Sequence, residues 1–140
     1  MSQLQTSIEF HDSDLSACNL QGAMLVIELR PAYVHKWEMK NGMWIGTGCV
    51  QDAELKIDNA IVPKKMPALP IEITNGTISV GNTVFDNLVQ VPFDKHGPTR
   101  LLFQLVNGDT LDVSGRGISI NLKGEATFVE KLPDEWVPQS

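Results

Sequence analysis

The densest group of chemically versatile side chains in this sequence is the run His11-Asp12-Ser13-Asp14. An imidazole and carboxylates are donors that zinc accepts, and a metal site needs three or four donors held together. His35 is the remote residue that could complete the set, so the candidate metal ligands are His11, Asp12, Asp14 and His35. The alternative is a polar turn, in which short oxygen-bearing side chains accept hydrogen bonds from nearby backbone amides. We favour the turn.

Three aromatic residues, Tyr33, Trp37 and Trp44, flank an Asn41-Gly42 turn and form a second candidate site. Aromatic side chains are enriched in protein interfaces, which makes these three residues interface candidates. Large aromatic side chains are also usually mostly buried. We therefore favour a packed end of the core and keep an interface as the alternative.

The serine and glycine residues do not fit the motifs of catalytic sites. No serine has the Gly-x-Ser-x-Gly setting of a nucleophile elbow. The segment Gly46-Thr47-Gly48 lacks the third glycine and the strand-to-helix setting of a dinucleotide-binding loop. The sequence thus predicts no catalytic residue and no cofactor, and it favours a binding domain over an enzyme.

The last third of the chain, residues 100–130, predicts the architecture that positions these residues. A three-residue loop ending at Gly108 pairs Phe103 with Leu111 and gives the hairpin one apolar face, whereas a two-residue Asn-Gly turn does not. Further turns at residues 115–116 and 122–124 extend this hairpin into a four-stranded meander. Its predicted apolar face consists of Leu101, Phe103, Leu105, Leu111, Val113, Ile118, Ile120, Ala126 and Phe128.

The rest of the chain has the same short-strand pattern. A hairpin is expected around Asn75-Gly76, and a proline-rich tail after Glu130 is expected to pack through Trp136 alone. No apolar period of 3.6 residues runs for ten residues, so no long helix is expected. About ten short strands predict one all-β domain over residues 1–140, either an antiparallel β-sandwich or a barrel.

Composition excludes several classes of function. The chain has 11 basic and 17 acidic residues, a net charge of −6. Nucleic-acid binding needs a basic footprint, which is missing. No apolar run reaches transmembrane length, and the polar amino terminus does not resemble a signal peptide. Cys18 and Cys49 have no metal or redox spacing. We therefore expect a cytoplasmic protein that binds neither nucleic acid nor membrane.

Three segments carry a resemblance to a known group of proteins: residues 10–15 (FHDSDL), 46–55 (GTGCVQDAEL) and 124–130 (GEATFVE). They look like the corresponding segments of small bacterial all-β proteins of unassigned function. The resemblance implies a bacterial all-β protein. It implies no activity, cofactor or catalytic residue.

Two functions from different classes are consistent with the sequence. The first is a non-catalytic domain that binds a protein partner, such as an immunity-type inhibitor that is steered electrostatically to a basic toxin. The alternative is a small-molecule or metal-binding β-barrel, a class that includes enzymes, with its site near His11, Asp12 and His35. The sequence leaves open whether the protein is a monomer or a dimer.

Overall fold

The computed structural model describes residues 3–138, which form nine β-strands and one turn of 3-10 helix. The strands are β1 (Leu4–Glu9), β2 (Asp14–Gln21), β3 (Met24–Lys40), β4 (Met43–Asp58), β5 (Ile71–Val80), β6 (Thr83–Asp86), β7 (Leu88–Gln90), β8 (Phe93–Leu105) and β9 (Thr110–Lys131), and the 3-10 turn is Asp134–Trp136. The prediction of an all-β fold without a long helix is confirmed. Within residues 3–138, no helix is long and apolar enough to cross a membrane.

Six strands close into an antiparallel ring, in the order β2, β5, β8, β9, β4, β3 and back to β2. The closing contact is short, because β2 and β5 share only the pairs Asp14–Glu72 and Leu15–Ile71. Of the two predicted architectures, the closed barrel is therefore the one adopted. The strands are fewer and longer than predicted, and β9 alone has 22 residues.

Apolar side chains fill the inside of the ring. Phe10 and Phe103 meet there with their ring centroids 5.1 Å apart. The alternation in the sequence predicted this core well, because seven residues of the expected apolar face are buried: Leu101, Phe103, Leu105, Leu111, Val113, Ile118 and Ile120. Burial of these side chains removes apolar surface from water, which is the main force that stabilises the fold.

Three ring strands continue beyond the ring into a second part of the sheet, here called the extension. Its strand order is β7, β1, β3, β4, β9. In the extension, β3 pairs with β1 from Glu9–Tyr33 to Leu4–Glu38, and β1 pairs with β7. Val34 and Ile8 lie on the inner face of the extension and join the core. Since side chains alternate along a strand, Tyr33, His35 and Trp37 lie on the opposite face, here called the outer face.

The predicted meander is correct in its first hairpin and wrong afterwards. Phe103 pairs with Leu111, and Gly108 has a positive φ of 91°, as the three-residue loop requires. The expected turns at residues 115–116 and 122–124 do not form, because β9 continues through both positions. Gly115 lies so close to the side chain of Ile57 that a Cβ would overlap it, so this glycine serves close strand packing. Gly124, with φ of 69°, lies where the register of β4 and β9 shifts.

Because the two expected turns do not form, the prediction is also wrong about the burial of two residues, Ala126 and Phe128. Ala126 and Phe128 were expected in the core, but the last part of β9 extends along β4 outside the ring. Phe128 is 66% exposed and Ala126 is also exposed. The hairpin expected at Asn75-Gly76 is wrong for a similar reason. Gly76 lies inside β5, where a Cβ would come within 2.8 Å of both Phe10 and Phe103.

Candidate functional site

The outer face of the extension brings together polar and aromatic side chains from several strands. Strand β3 presents Tyr33, His35 and Trp37 at alternate positions. Strand β1 places Glu9 beside Tyr33 and Ser7 beside His35. These pairings fix the neighbours of each side chain through the backbone register, so the site does not depend on a flexible loop.

Two glycines of β4 allow the aromatic rings to lie flat across the neighbouring strand. A Cβ on Gly46 would be 2.5 Å from the nearest ring carbon of Trp37. A Cβ on Gly48 would overlap the phenol oxygen of Tyr33 and come within 3.0 Å of its Cζ atom. The spacing Gly46-Thr47-Gly48 therefore has a structural purpose: it makes room for two aromatic side chains from β3.

Hydrogen bonds hold the aromatic residues of the outer face. The phenol of Tyr33 donates to Glu130 Oε2 at 2.6 Å. His35 Nε2 lies 2.9 Å from Glu9 Oε1. A carboxylate accepts hydrogen bonds only, so Nε2 carries the hydrogen in this pair. The rings of Tyr33 and His35 meet edge to face, with centroids 5.5 Å apart.

Ser13 links the turn after β1 to the outer face. Its hydroxyl donates to the backbone oxygen of Glu9 at 2.7 Å and accepts from the backbone N–H of Tyr33 at 2.8 Å. Ser13 is fully buried, so both bonds are shielded from water. The His11-Asp12-Ser13-Asp14 turn thus supports β3 directly beside Tyr33.

The electrostatics of the site keep Tyr33 protonated. Burial raises the pKa of the Tyr33 phenol, and the hydrogen bond to Glu130 raises it further. A phenol with a raised pKa remains a hydrogen-bond donor at physiological pH. The Tyr33 phenol therefore orients the Glu130 side chain through its hydrogen bond.

The carboxyl-terminal tail folds over the outer face and creates a groove. The Leu132 N–H donates to the backbone oxygen of Gly46 at 2.9 Å, and the Leu132 side chain is buried. The 3-10 turn then stacks Trp136 on His35, with centroids 5.7 Å apart and planes 9° apart. The tail thus packs through Leu132 as well as through the expected Trp136.

The groove beside this stack, here called the tryptophan groove, has a volume of about 210 Å³. Gln5, Ser7, Leu88 and Gln90 of β1 and β7 form one wall, Trp136 and Pro138 of the tail form the other, and His35 and Trp37 of β3 form the floor. Trp136 is 50% exposed, whereas Trp37 is 3% exposed. The site therefore combines a rigid buried floor with one accessible indole.

The four candidate metal ligands are held by different partners. His11 Nδ1 bonds the backbone oxygen of Thr74 at 2.9 Å, and its Nε2 lies 3.4 Å from Asp12 Oδ1. The Thr74 contact is the main reason that the pKa of His11 is raised. His35 is bonded to Glu9, and Asp14 lies opposite Glu72 in the sheet. Within residues 3–138, no three His, Cys, Asp or Glu side chains form a group that could hold a metal ion.

The expected turn at residues 11–14 is present, with Asp12 at a positive φ of 72°. Of the three interface candidates, Tyr33 and Trp37 lie together on the outer face, whereas Trp44 pairs with Met39 near the end of the β3–β4 hairpin. Sequence reasoning did not assign Glu9 and Glu130 to the site. The alternation of side chains along β1 could have placed Glu9 on the face of the sheet away from buried Ile8. No local pattern could indicate that Glu130 contacts Tyr33, which is 97 positions away in the sequence.

Parts of three sequence segments, residues 10–15, 46–55 and 124–130, meet at this place: the turn after β1, the glycines of β4 and Glu130 near the end of β9. Comparison of the chain with protein-family models, curated proteins and solved structures gave no match.

Proposed function

We propose that this protein is a non-catalytic binding domain that contacts a basic protein partner through the outer face of its extension. The observation that carries the proposal is the arrangement of Tyr33, His35, Trp37 and Trp136 on one outward sheet face, each with its ring held by packing or hydrogen bonding. Residues that carry much of the binding energy in protein interfaces are enriched in tryptophan and tyrosine.

The charges around this face favour a basic partner. Glu9 and Glu130 are bonded to its histidine and tyrosine, and Asp134 and Glu135 precede Trp136 in the tail. Neither lysine nor arginine lines the tryptophan groove. With a net charge of −6, the protein would attract a basic partner over long range and accelerate its association. An immunity-type inhibitor of a basic toxin is one concrete form of this function.

The alternative function, a small-molecule or metal-binding barrel, has less support. A ligand-binding barrel encloses its ligand inside the ring, but here apolar side chains such as Leu29 and Leu55 occupy the interior. The site expected near His11, Asp12 and His35 is also divided, since His11 bonds Thr74 and His35 bonds Glu9. This alternative would have to use a groove outside the ring, such as the cavity of about 600 Å³ lined in part by Phe85, Phe93 and Lys95.

We also infer a cytoplasmic location, which the state of the two cysteines supports. Cys18 and Cys49 are both free thiols. Burial raises the pKa of Cys18 to about 11, which keeps it in the unreactive thiol form. Free, unreactive cysteines are typical of proteins in reducing compartments.

Affinity capture from a lysate of the source cell, at low and at high salt, tests the proposed function. We expect a stoichiometric basic protein that is retained at low salt, released at high salt and lost with Trp136→Ala. Phe128→Ala is the matched control, because Phe128 is also an exposed aromatic residue but lies outside the groove. Capture that survives high salt, or that Trp136→Ala and Phe128→Ala affect equally, would contradict the proposal.

A further inference from the structure

We propose that the tryptophan groove binds the side chain of an arginine, with its guanidinium group against the indole of Trp136. This inference rests on the proposed function and specifies which group of the basic partner is recognised.

The volume of the groove suits a single side chain. At about 210 Å³, it is smaller than the roughly 300 to 1,000 Å³ of pockets that bind drug-sized ligands. A single long side chain that enters from a partner surface needs less space than a free metabolite, and it brings binding energy from the surrounding interface. Size thus favours part of a protein over an independent small molecule.

The aromatic surface favours a cation. Trp136 is half exposed and lines the groove, and it is held parallel to His35 by stacking. Cations bind the face of tryptophan more strongly than that of any other aromatic side chain, and arginine does so more often than lysine. The planar guanidinium is also more weakly hydrated than an ammonium group, which lowers the cost of its transfer into a groove.

The polar wall supplies oxygen acceptors for the guanidinium. Gln90 Nε2 donates to Gln5 Oε1 at 3.2 Å, so this bond uses the donor end of Gln90 and leaves its Oε1 atom as an acceptor. The hydroxyl of Ser7 lies on the same wall. A guanidinium has five N–H donors and no acceptor, so it matches these oxygen atoms better than an anion does, and the apolar part of an arginine side chain can lie against Leu88.

Charge completes the match. The floor residue His35 is bonded to Glu9, and Asp134 and Glu135 lie on the tail segment that forms the other wall. Among the described residues, no Asp, Glu, Lys or Arg side chain lines the groove itself, so these carboxylates and the net charge of −6 contribute a long-range attraction for a cation.

The test uses the full protein and two small probes: Nα-acetyl-arginine methylamide and its neutral isostere, Nα-acetyl-citrulline methylamide. Binding is followed by NMR through the indole N–H signals. Trp37 and Trp136 line the groove, and Trp44 serves as an internal control outside it. We expect the arginine probe to shift the first two signals in a saturable way and to bind about threefold to tenfold more tightly than the citrulline probe, the ratio typical of a cation–π contact.

A matched pair of variants gives the second measurement. Gln90→Lys places a competing ammonium in the groove, whereas Gln104→Lys makes the same charge change at an exposed position of β8. We expect the first variant to lose at least threefold in affinity for the arginine probe, and the second to bind as the wild type does. Equal binding by both variants, or equal shifts with the arginine and citrulline probes, would overturn the inference.

The groove and the proposed function can fail separately. If neither probe binds but a basic partner is captured and lost with Trp136→Ala, the arginine inference is wrong and the binding domain stands. If the arginine probe binds selectively but no basic partner is captured from the lysate, the groove stands and the proposed function is wrong.

Discussion

Replacing Gly48 with alanine places a methyl group in the space that the phenol of Tyr33 occupies. The new Cβ would overlap the phenol oxygen, and it would come within 3.0 Å of Tyr33 Cζ and 3.2 Å of Glu130 Cγ. Gly48 has an ordinary extended backbone rather than a positive φ, so alanine brings no strain of its own. The entire effect should therefore come from the displaced tyrosine.

The size of the effect follows from three contributions. Overpacking costs about 1 to 3 kcal/mol, and loss of the Tyr33–Glu130 hydrogen bond adds about 1 kcal/mol because Glu130 is exposed. Alanine in place of glycine in a strand offsets about 0.5 to 1 kcal/mol of this. We expect Gly48→Ala to lower the free energy of unfolding by about 2 kcal/mol.

A double-mutant cycle measured by urea unfolding tests this reasoning. In a Tyr33→Val background the phenol is absent, so Gly48→Ala should be neutral or slightly stabilising there, and the coupling energy should be about 2 kcal/mol. The capture experiment should also respond, because a displaced Tyr33 disorders the outer face. If Gly48→Ala costs the same in both backgrounds, the methyl group does not act through Tyr33 and the account of the glycine is wrong.

Three further predictions concern stability. Ser13→Ala removes a fully buried hydroxyl that makes two hydrogen bonds and should cost about 2 to 3 kcal/mol in urea unfolding. Ser16→Ala should cost less than about 1 kcal/mol, because the hydrogen bonds of its hydroxyl with the Arg30 backbone are exposed; equal costs would contradict the role of the Ser13 turn. The hydrogen-bonded arginine beside Asp112 lowers the pKa of this carboxyl, so its stabilisation is complete above the unfolded pKa of 3.8 and is lost as the pH falls through the lower folded value. Since the pair is largely exposed, Asp112→Asn should cost less than about 1 kcal/mol at neutral pH, and the difference from wild type should disappear at the acid end of a pH series of unfolding curves. Phe128→Ser should change stability by less than about 0.5 kcal/mol, whereas Phe103→Ala should cost about 3 to 5 kcal/mol; a large loss with Phe128→Ser would place that side chain in the core.

The sequence predicted those parts of the fold that depend on local chemistry. The loop ending at Gly108 could be chosen correctly because only one of the two turns gave Phe103 an apolar partner. The turns predicted at Gly115 and Gly76 are wrong, because a glycine in a sequence can indicate either a turn or a close contact with another chain segment. The close contacts here, with Ile57 and with Phe10, are distant in sequence and therefore invisible to local reasoning.

The candidate site was predicted only in part, for the same reason. Tyr33 and Trp37 could be found because they alternate on one strand and are chemically conspicuous. Their partners come from strands whose positions depend on the whole topology: Glu9 through the pairing of β1 with β3, and Glu130 through the extended course of β9. Glu130 can be placed beside Tyr33 only if β9 is one continuous strand, whereas the two expected turns divided this segment into separate strands.

The continuity of three strands between the ring and the extension has a consequence for the dynamics of the site. In many proteins, binding surfaces belong to the segments that open most easily, with local unfolding far less costly than global unfolding. Here β3, β4 and β9 each continue as one strand from the barrel core into the extension, although the pairing register shifts after Leu29 in β3 and after Val50 in β4. Backbone amides around Tyr33 and His35 should then exchange with solvent at rates close to those of the core, and the outer face should keep one conformation. Substitutions deep in the barrel would, by the same route, loosen the outer face although they do not contact it.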